Sequence, residues 1–176
     1  MLTFEISFDG LENIIALSRE YPRVAQRSLN RVAQSTKTEA SRQIRDTYNV
    51  RKQTVDASFT VRLAHIDDLK ATIRSSGRRL PIMEFAARQV ARGVSFAIKK
   101  GERKILTHAF LATMPGGHVG VFMRRGKDRL PIDEKFTISV AEMFGARAIF
   151  NELQAFAVER LGIEFPRQLD YYLSQQ

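Results

Sequence analysis

Cysteine and tryptophan are both absent from this 176-residue chain. Without cysteine, neither disulfides nor a thiolate metal site can hold it together, so its structure must come from a packed core. The length suffices, because a chain of this size buries roughly two-thirds of its unfolded surface. Apolar runs are short as well. None approaches the ~20 residues that cross a bilayer, so no membrane partner is expected. The opening MLTFEISFDG has neither a basic leader nor a long apolar stretch. No signal peptide is expected, and cytoplasmic synthesis fits.

Acidic residues are scarce, but only in part of the chain. Residues 19–129 hold 24 Lys and Arg against 9 Asp and Glu, whereas residues 130–176 hold 4 against 7. The formal charge is +9. A basic body with a mildly acidic C-terminal segment points to a polyanion or an acidic protein surface as neighbour; the alternative is solvated helix faces.

Marks of catalysis are lacking too. His65, His108 and His118 show no metal-like spacing and stand in or beside turns. Asp67–Asp68 and Asp133–Glu134 are adjacent in the chain, and such neighbours usually point apart. Gly116, Gly117 and Gly120 join two strands, whereas a phosphate-cradling loop leads from strand to helix. No nucleophile elbow is present. Phe outnumbers Tyr 12 to 4, and most phenylalanines fall on apolar phases, as core residues do. Nothing calls for a cofactor or an enzyme.

What is present is periodicity. Phe4, Ile6 and Phe8 alternate as in a half-buried strand, and Asp9 stands where an N-cap would precede the short helix LENIIALS. Residues 22–48 read as one amphipathic helix, with Leu29, Val32, Ala33, Thr36, Ala40, Ile44 and Tyr48 at three- and four-residue steps. Period-two runs then follow at 59–63, 69–73, 94–98, 110–114 and 119–123, with PGGH as a hairpin loop. Ser139 can cap AEMFG, and 146–161 carries a second helical stripe until Gly162 and Pro166 weaken or kink it. The expected fold is α+β: an antiparallel sheet of four to five strands within 58–125, packed against a long N-terminal helix and a C-terminal helix region at 139–174. One domain over 1–176 is expected, opening with a strand and short helix at 1–21.

One short motif occurs twice, as RRLPIMEF at 78–85 and DRLPIDEKF at 128–136. The flanks differ, so these read as two similar elbows, Pro81 and Pro131, and not as halves of a duplication. Each Leu-Ile pair is expected to point at the core, with both elbows against the same sheet.

The order of segments resembles a known family. TKTEASRQIRDTYNVRKQTV is followed by SGRRLPIMEFAARQVARGVSFAIKKGERKIL and then by HAFLATMPGGHVGVFMRRGKDRLPIDEKFTISVAEMF. From about Leu29 to Leu173 this is similar to the minor tail protein Z family of long-tailed phages and prophages, also called tail completion proteins. The resemblance implies a structural, non-enzymatic virion protein acting late in assembly at the head-proximal end of the tail. It implies contacts with the tail terminator, tail tube or head–tail connector, and a ring homo-oligomer. It also implies a tail made competent for DNA passage. In that setting the basic hairpins Lys99, Lys100, Arg103, Lys104 and Arg124, Arg125, Lys127, Arg129 are expected to face DNA or an acidic neighbouring ring, the bland alternative being solvated loops. A rival reading is a sequence-independent DNA-binding protein, supported by the high pI and the arginine-rich helix.

Overall fold

The computed structural model describes residues 1–7 and 12–175. The expectations for Phe8 and for an Asp9 cap lie outside those residues. β1 (Leu2–Ile6) and α1 (Glu12–Glu20) open the chain and lead into α2 (Pro22–Thr47). Pro22 occupies the first turn of α2, where a missing N–H forfeits no hydrogen bond. The stripe from Leu29 to Ile44 is buried as the periodicity requires, and the helix stops one residue before the expected end. α3 (Lys52–Ser58), β2 (Phe59–Arg62) and β3 (Ala71–Ser75) follow. β3 lies between β1 and β2 in an antiparallel sheet. Farther along, α4 (Val140–Phe144) is capped by Ser139, whose hydroxyl accepts from the Glu142 N–H while the Glu142 carboxylate accepts from the Ser139 N–H.

α5 (Arg147–Leu173) corrects one expectation, for it runs unbroken through Gly162 and Pro166. Proline in a helix removes one hydrogen bond and crowds the carbonyl four residues back, at a cost of ~3 kcal/mol. That carbonyl belongs to Gly162, the residue type with the most backbone freedom. On the other face, Ile149, Leu153, Leu161 and Phe165 are buried, and each such side chain is worth about 1.5–3 kcal/mol. Packing wins. α5 lies antiparallel along α2, with Tyr21 against Tyr172 at 5.9 Å between ring centroids and Arg31 3.5 Å from the buried Glu164.

The second correction concerns the sheet. In place of one sheet of four to five strands, the described residues form nine short strands in three three-stranded antiparallel sheets. β4 (Arg88–Val90), β5 (Gly93–Phe96) and β6 (Lys104–Thr107) make the second; β7 (Ala109–Thr113), β8 (Val119–Arg124) and β9 (Ile132–Glu134) make the third. β4, β6 and β9 are three or four residues long, too short to display an alternation. Residues 93–96 are all buried, so β5 reads as a continuous run. β6 and β7 are nearly one strand, bent at His108, whose φ of 62° turns the chain from the second sheet into the third.

Two cores result. The larger gathers α2, α5 and the first sheet around Phe4, Leu29, Ile44, Ile73, Phe144 and Leu153. The smaller, between the second and third sheets, holds Ile82, Val94, Phe96, Ala109 and Val121. Ile98 packs against both.

The two elbows turn out unlike. After Pro81, Ile82 begins a single 3₁₀ turn and is 4% exposed. After Pro131, Ile132 is half-buried, and Leu130 before it is 67% exposed. Only the first copy points its isoleucine at a core. The copies do meet: the first pairs with the end of the second and with the residues just after it. Leu80 and Ile82 donate to the carbonyls of Ile138 and Lys135, and Thr137 donates back to Leu80.

Candidate functional site

The basic residues singled out in the sequence sit on two hairpins of the smaller module. The first joins β5 to β6. Its main chain is clamped to the end of α2: the Lys100 N–H donates to the Thr47 carbonyl at 3.0 Å, and the Asn49 N–H to the Ile98 carbonyl at 2.9 Å. This leaves the side chains of Lys99, Lys100 and Lys104 exposed, with no ion pair among the described residues. Arg103 behaves differently. Its Nε donates to the Ser95 hydroxyl at 3.0 Å and a terminal nitrogen to the Ala86 carbonyl at 3.0 Å. Ala86 has a positive φ of 49°. Arg103 therefore latches β5 to this irregular corner, a structural task that its place in a basic run conceals.

The second hairpin joins β8 to β9. Arg125 pairs with Asp133, its Nε donating to both carboxylate oxygens, at 2.8 and 3.1 Å. The guanidinium holds the Asp133 carboxyl below its ordinary range, and the carboxylate raises Arg125 in turn. Arg124 lies over the Phe110 ring, 5.5 Å from its centroid, a cation–π contact that no spacing in the sequence announces. Lys127 and Arg129 are exposed and make no ion pair among the described residues. A shallow basin of about 520 Å³ opens beside this hairpin, lined by His108, Phe110, Met123, Arg124, Arg125 and Lys127.

The hairpins stand at opposite ends of β6. Lys104 begins that strand, while Arg124 lies beyond Met123, which is paired with Ala109 just past its other end. Three of the eight cations, Arg103, Arg124 and Arg125, are thus engaged, and the other five are free among the described residues. The acidic pairs divide as neighbours do. Asp68 meets Arg62 at 3.2 Å; Asp133 turns to Arg125 and Glu134 to His118, at 2.9 Å. Among the described residues no group of three His, Asp or Glu could hold a metal ion, and no helix is long and apolar enough to cross a membrane. The arrangement offers surface cations suited to attracting an anionic partner.

No curated protein and no solved structure matches the chain. A family model does, that of prophage minor tail protein Z, over residues 9–176. The matched span takes in α2, both basic hairpins and α5, nearly the whole chain, and the chain therefore belongs to the prophage minor tail protein Z family, whose members are structural components of the phage tail.

Proposed function

We propose that this tail protein acts in tail completion: it joins the head-proximal end of the tail late in assembly and makes that end competent for head joining and DNA passage. What carries the reading is the family match over residues 9–176. Its partners are the tail terminator, the tail tube or the head–tail connector. Copies form a closed ring through repeated head-to-tail contacts. Assembly takes place in the host cytoplasm and ends in the virion.

The five free cations are the part of the surface most suited to such a partner. Lys127 and Arg129 hold no other residue in place, and neither do the side chains of Lys99, Lys100 and Lys104. Non-specific attraction of this kind suits a DNA conduit, since it adds no base contacts to arrest the moving duplex.

The test is complementation of a phage lacking this gene. Reversal of Lys127 and Arg129 to Glu should leave the melting temperature unchanged and lower infectious yield by an order of magnitude or more, with unjoined heads and tails visible by electron microscopy. Normal yield with these two and Lys99, Lys100 and Lys104 all reversed would remove the hairpins from the proposal. Normal joined particles without the protein would remove tail completion itself.

A further inference from the structure

α2 carries a charge arrangement that its own stability does not favour. From Pro22 to Thr38 it holds Arg23, Arg27, Arg31 and Lys37 and no carboxylate. Arg23, Arg27 and Arg31 follow one another at four-residue steps, so like charges are stacked on one face, where they repel. Arg23 also occupies the first turn of the helix, where the backbone dipole favours acids and opposes cations. No acidic residue stands in the first turn to offset this.

The surroundings do little to relieve that strain. Arg31 reaches Glu164 at 3.5 Å, and its side chain remains 57% exposed. Arg23 and Arg27 are exposed and have no ion pair among the described residues. Along the same side, α2 and α3 flank a cleft of about 250 Å³ lined by Gln34, Lys37, Thr38, Ser41, Arg45 and Lys52, with Asp56. Asp56 is already occupied, by the Ser41 hydroxyl at 2.6 Å and by the Lys52 ammonium. Those contacts hold its carboxyl below the ordinary range. Lys37 makes no ion pair of its own among the described residues. Arg45 donates from Nε to the Ser41 carbonyl at 3.0 Å, which leaves the rest of its fork for a partner.

From Arg23 to Arg45 is 22 residues, about 33 Å at the helical rise. That matches roughly one turn of duplex DNA, ~34 Å. A local rule broken along a ridge whose cations are exposed at Arg23, Arg27 and Arg31 and half-buried at Lys37 and Arg45 is where function is expected to outweigh stability. We infer that the outer ridge of α2, from Arg23 through Arg27 and Arg31 to Lys37 and Arg45, is a phosphate-backbone track for duplex DNA, read without regard to sequence. The polar residues between the cations, Gln34 and Thr38, keep the ridge wettable and supply no base-reading geometry. The inference rests on the tail reading for its biological setting alone; the binding it asserts is a property of the isolated chain.

The experiment uses the full-length protein and a fluorescein-labelled duplex of about 24 base pairs, roughly two turns. Affinity is followed by anisotropy between about 50 and 200 mM salt. The triple variant Arg23→Gln, Arg27→Gln, Lys37→Gln should lower the slope of log affinity against log salt by about 2.7 units, at ~0.9 for each phosphate that is no longer neutralised. Two duplexes of different sequence should give the same slope. The variant should melt no lower than the parent, because repulsion within α2 is relieved. The charge-keeping variant Arg23→Lys, Arg27→Lys should retain the parental slope, which separates missing charge from failed folding. An unchanged slope in the triple variant overturns the track, as does an unmodified protein that fails to bind at low salt. If the triple variant loses binding to purified tails and keeps its DNA slope, the ridge serves an acidic protein and the inference is wrong. None of these outcomes touches the hairpin test, which is read in infectious particles.

Discussion

Gly93 shows how much a single position can carry. Its φ is +149°, and a Cβ there would lie 2.1 Å from the Leu106 carbonyl oxygen on the paired strand β6. No side chain fits without separating the two strands. Gly93→Ala should cost about 3 kcal/mol, at the upper end of ordinary single substitutions. Urea unfolding measures it, and a loss below about 1 kcal/mol would show that the strand pair yields more readily than its geometry implies. The repeated Leu-Pro-Ile gives a paired contrast. Ile82 is 4% exposed within the smaller core, so Ile82→Ala should cost about 2–4 kcal/mol. Ile132 is half-buried and lies in neither core cluster, so Ile132→Ala should cost less than about half of that. Equal losses would mean that the second elbow packs as the first does. The motif itself was legible in the sequence, but the inequality of its copies was not. Identical letters take different burial when one copy sits at a hairpin tip and the other under a sheet. The same holds for Arg103, whose partners Ser95 and Ala86 are eight and seventeen residues away.

At the scale of elements, what was readable is what is local. The α4 cap needed only Ser139 and Glu142 three residues apart, and its two reciprocal bonds are present. Hydrogen bonds from the Ser139 N–H and hydroxyl hold the Glu142 carboxyl below its ordinary range. Asp56 is lowered similarly by Lys52 and Ser41, and Asp133 by Arg125. The sign follows directly. A group lowered in the folded state stabilises above its unfolded pKa, about 4 for these carboxylates, and loses that contribution as pH falls through the lower folded value. Melting temperature should therefore hold above about pH 5 and decline progressively below it. Ser139→Ala should cost about 1 kcal/mol near neutrality, and its melting temperature should decline less steeply in acid. Parallel acid curves for parent and variant would show that the Ser139 hydroxyl plays no part in the decline, the Ser139 N–H alone holding Glu142. The long helices were legible for a related reason, since repetition over many turns outvotes one odd residue. α5 is the instructive failure. Gly162 and Pro166 are local breakers, and only the contact of α5 with α2 overrules them. β4, β6 and β9 failed oppositely, because three or four residues cannot establish a period.

The whole molecule depends on how its helical layer meets its smaller β module, and no sequence pattern announced that division. Strand alternation tells which residues face inward, but pairing partners are chosen across distance. The bend at His108, which sends one nearly continuous strand from the second sheet to the third, has no local signature beyond histidine's better-than-average tolerance of a positive φ. The junction between the two cores is compact. Ile98 packs against both, Tyr48 bridges to Lys99, and Asn49 binds twice. Its N–H donates to the Ile98 carbonyl, and its side-chain Nδ2 donates to the Ala97 carbonyl at 3.0 Å. Ala97 is buried, so Asn49→Ala would leave its carbonyl without that donor, at a cost of about 1–3 kcal/mol. The loss should not be spread evenly. α2 retains its packing with α5 and with the first sheet, whereas the end of β5 loses one of its ties to the end of α2 and keeps only the main-chain bonds at Ile98 and Lys100. Hydrogen exchange should then quicken at amides of β5 and β8 while those in the middle of α2 keep their protection, the mark of one unit opening before the other. If α2 and β5 quicken together, the two cores unfold as one body and the junction merely adds to a common stability. Separate opening would make Asn49 a point at which a load on the first basic hairpin, borne by β5 and β6, is handed to the helices.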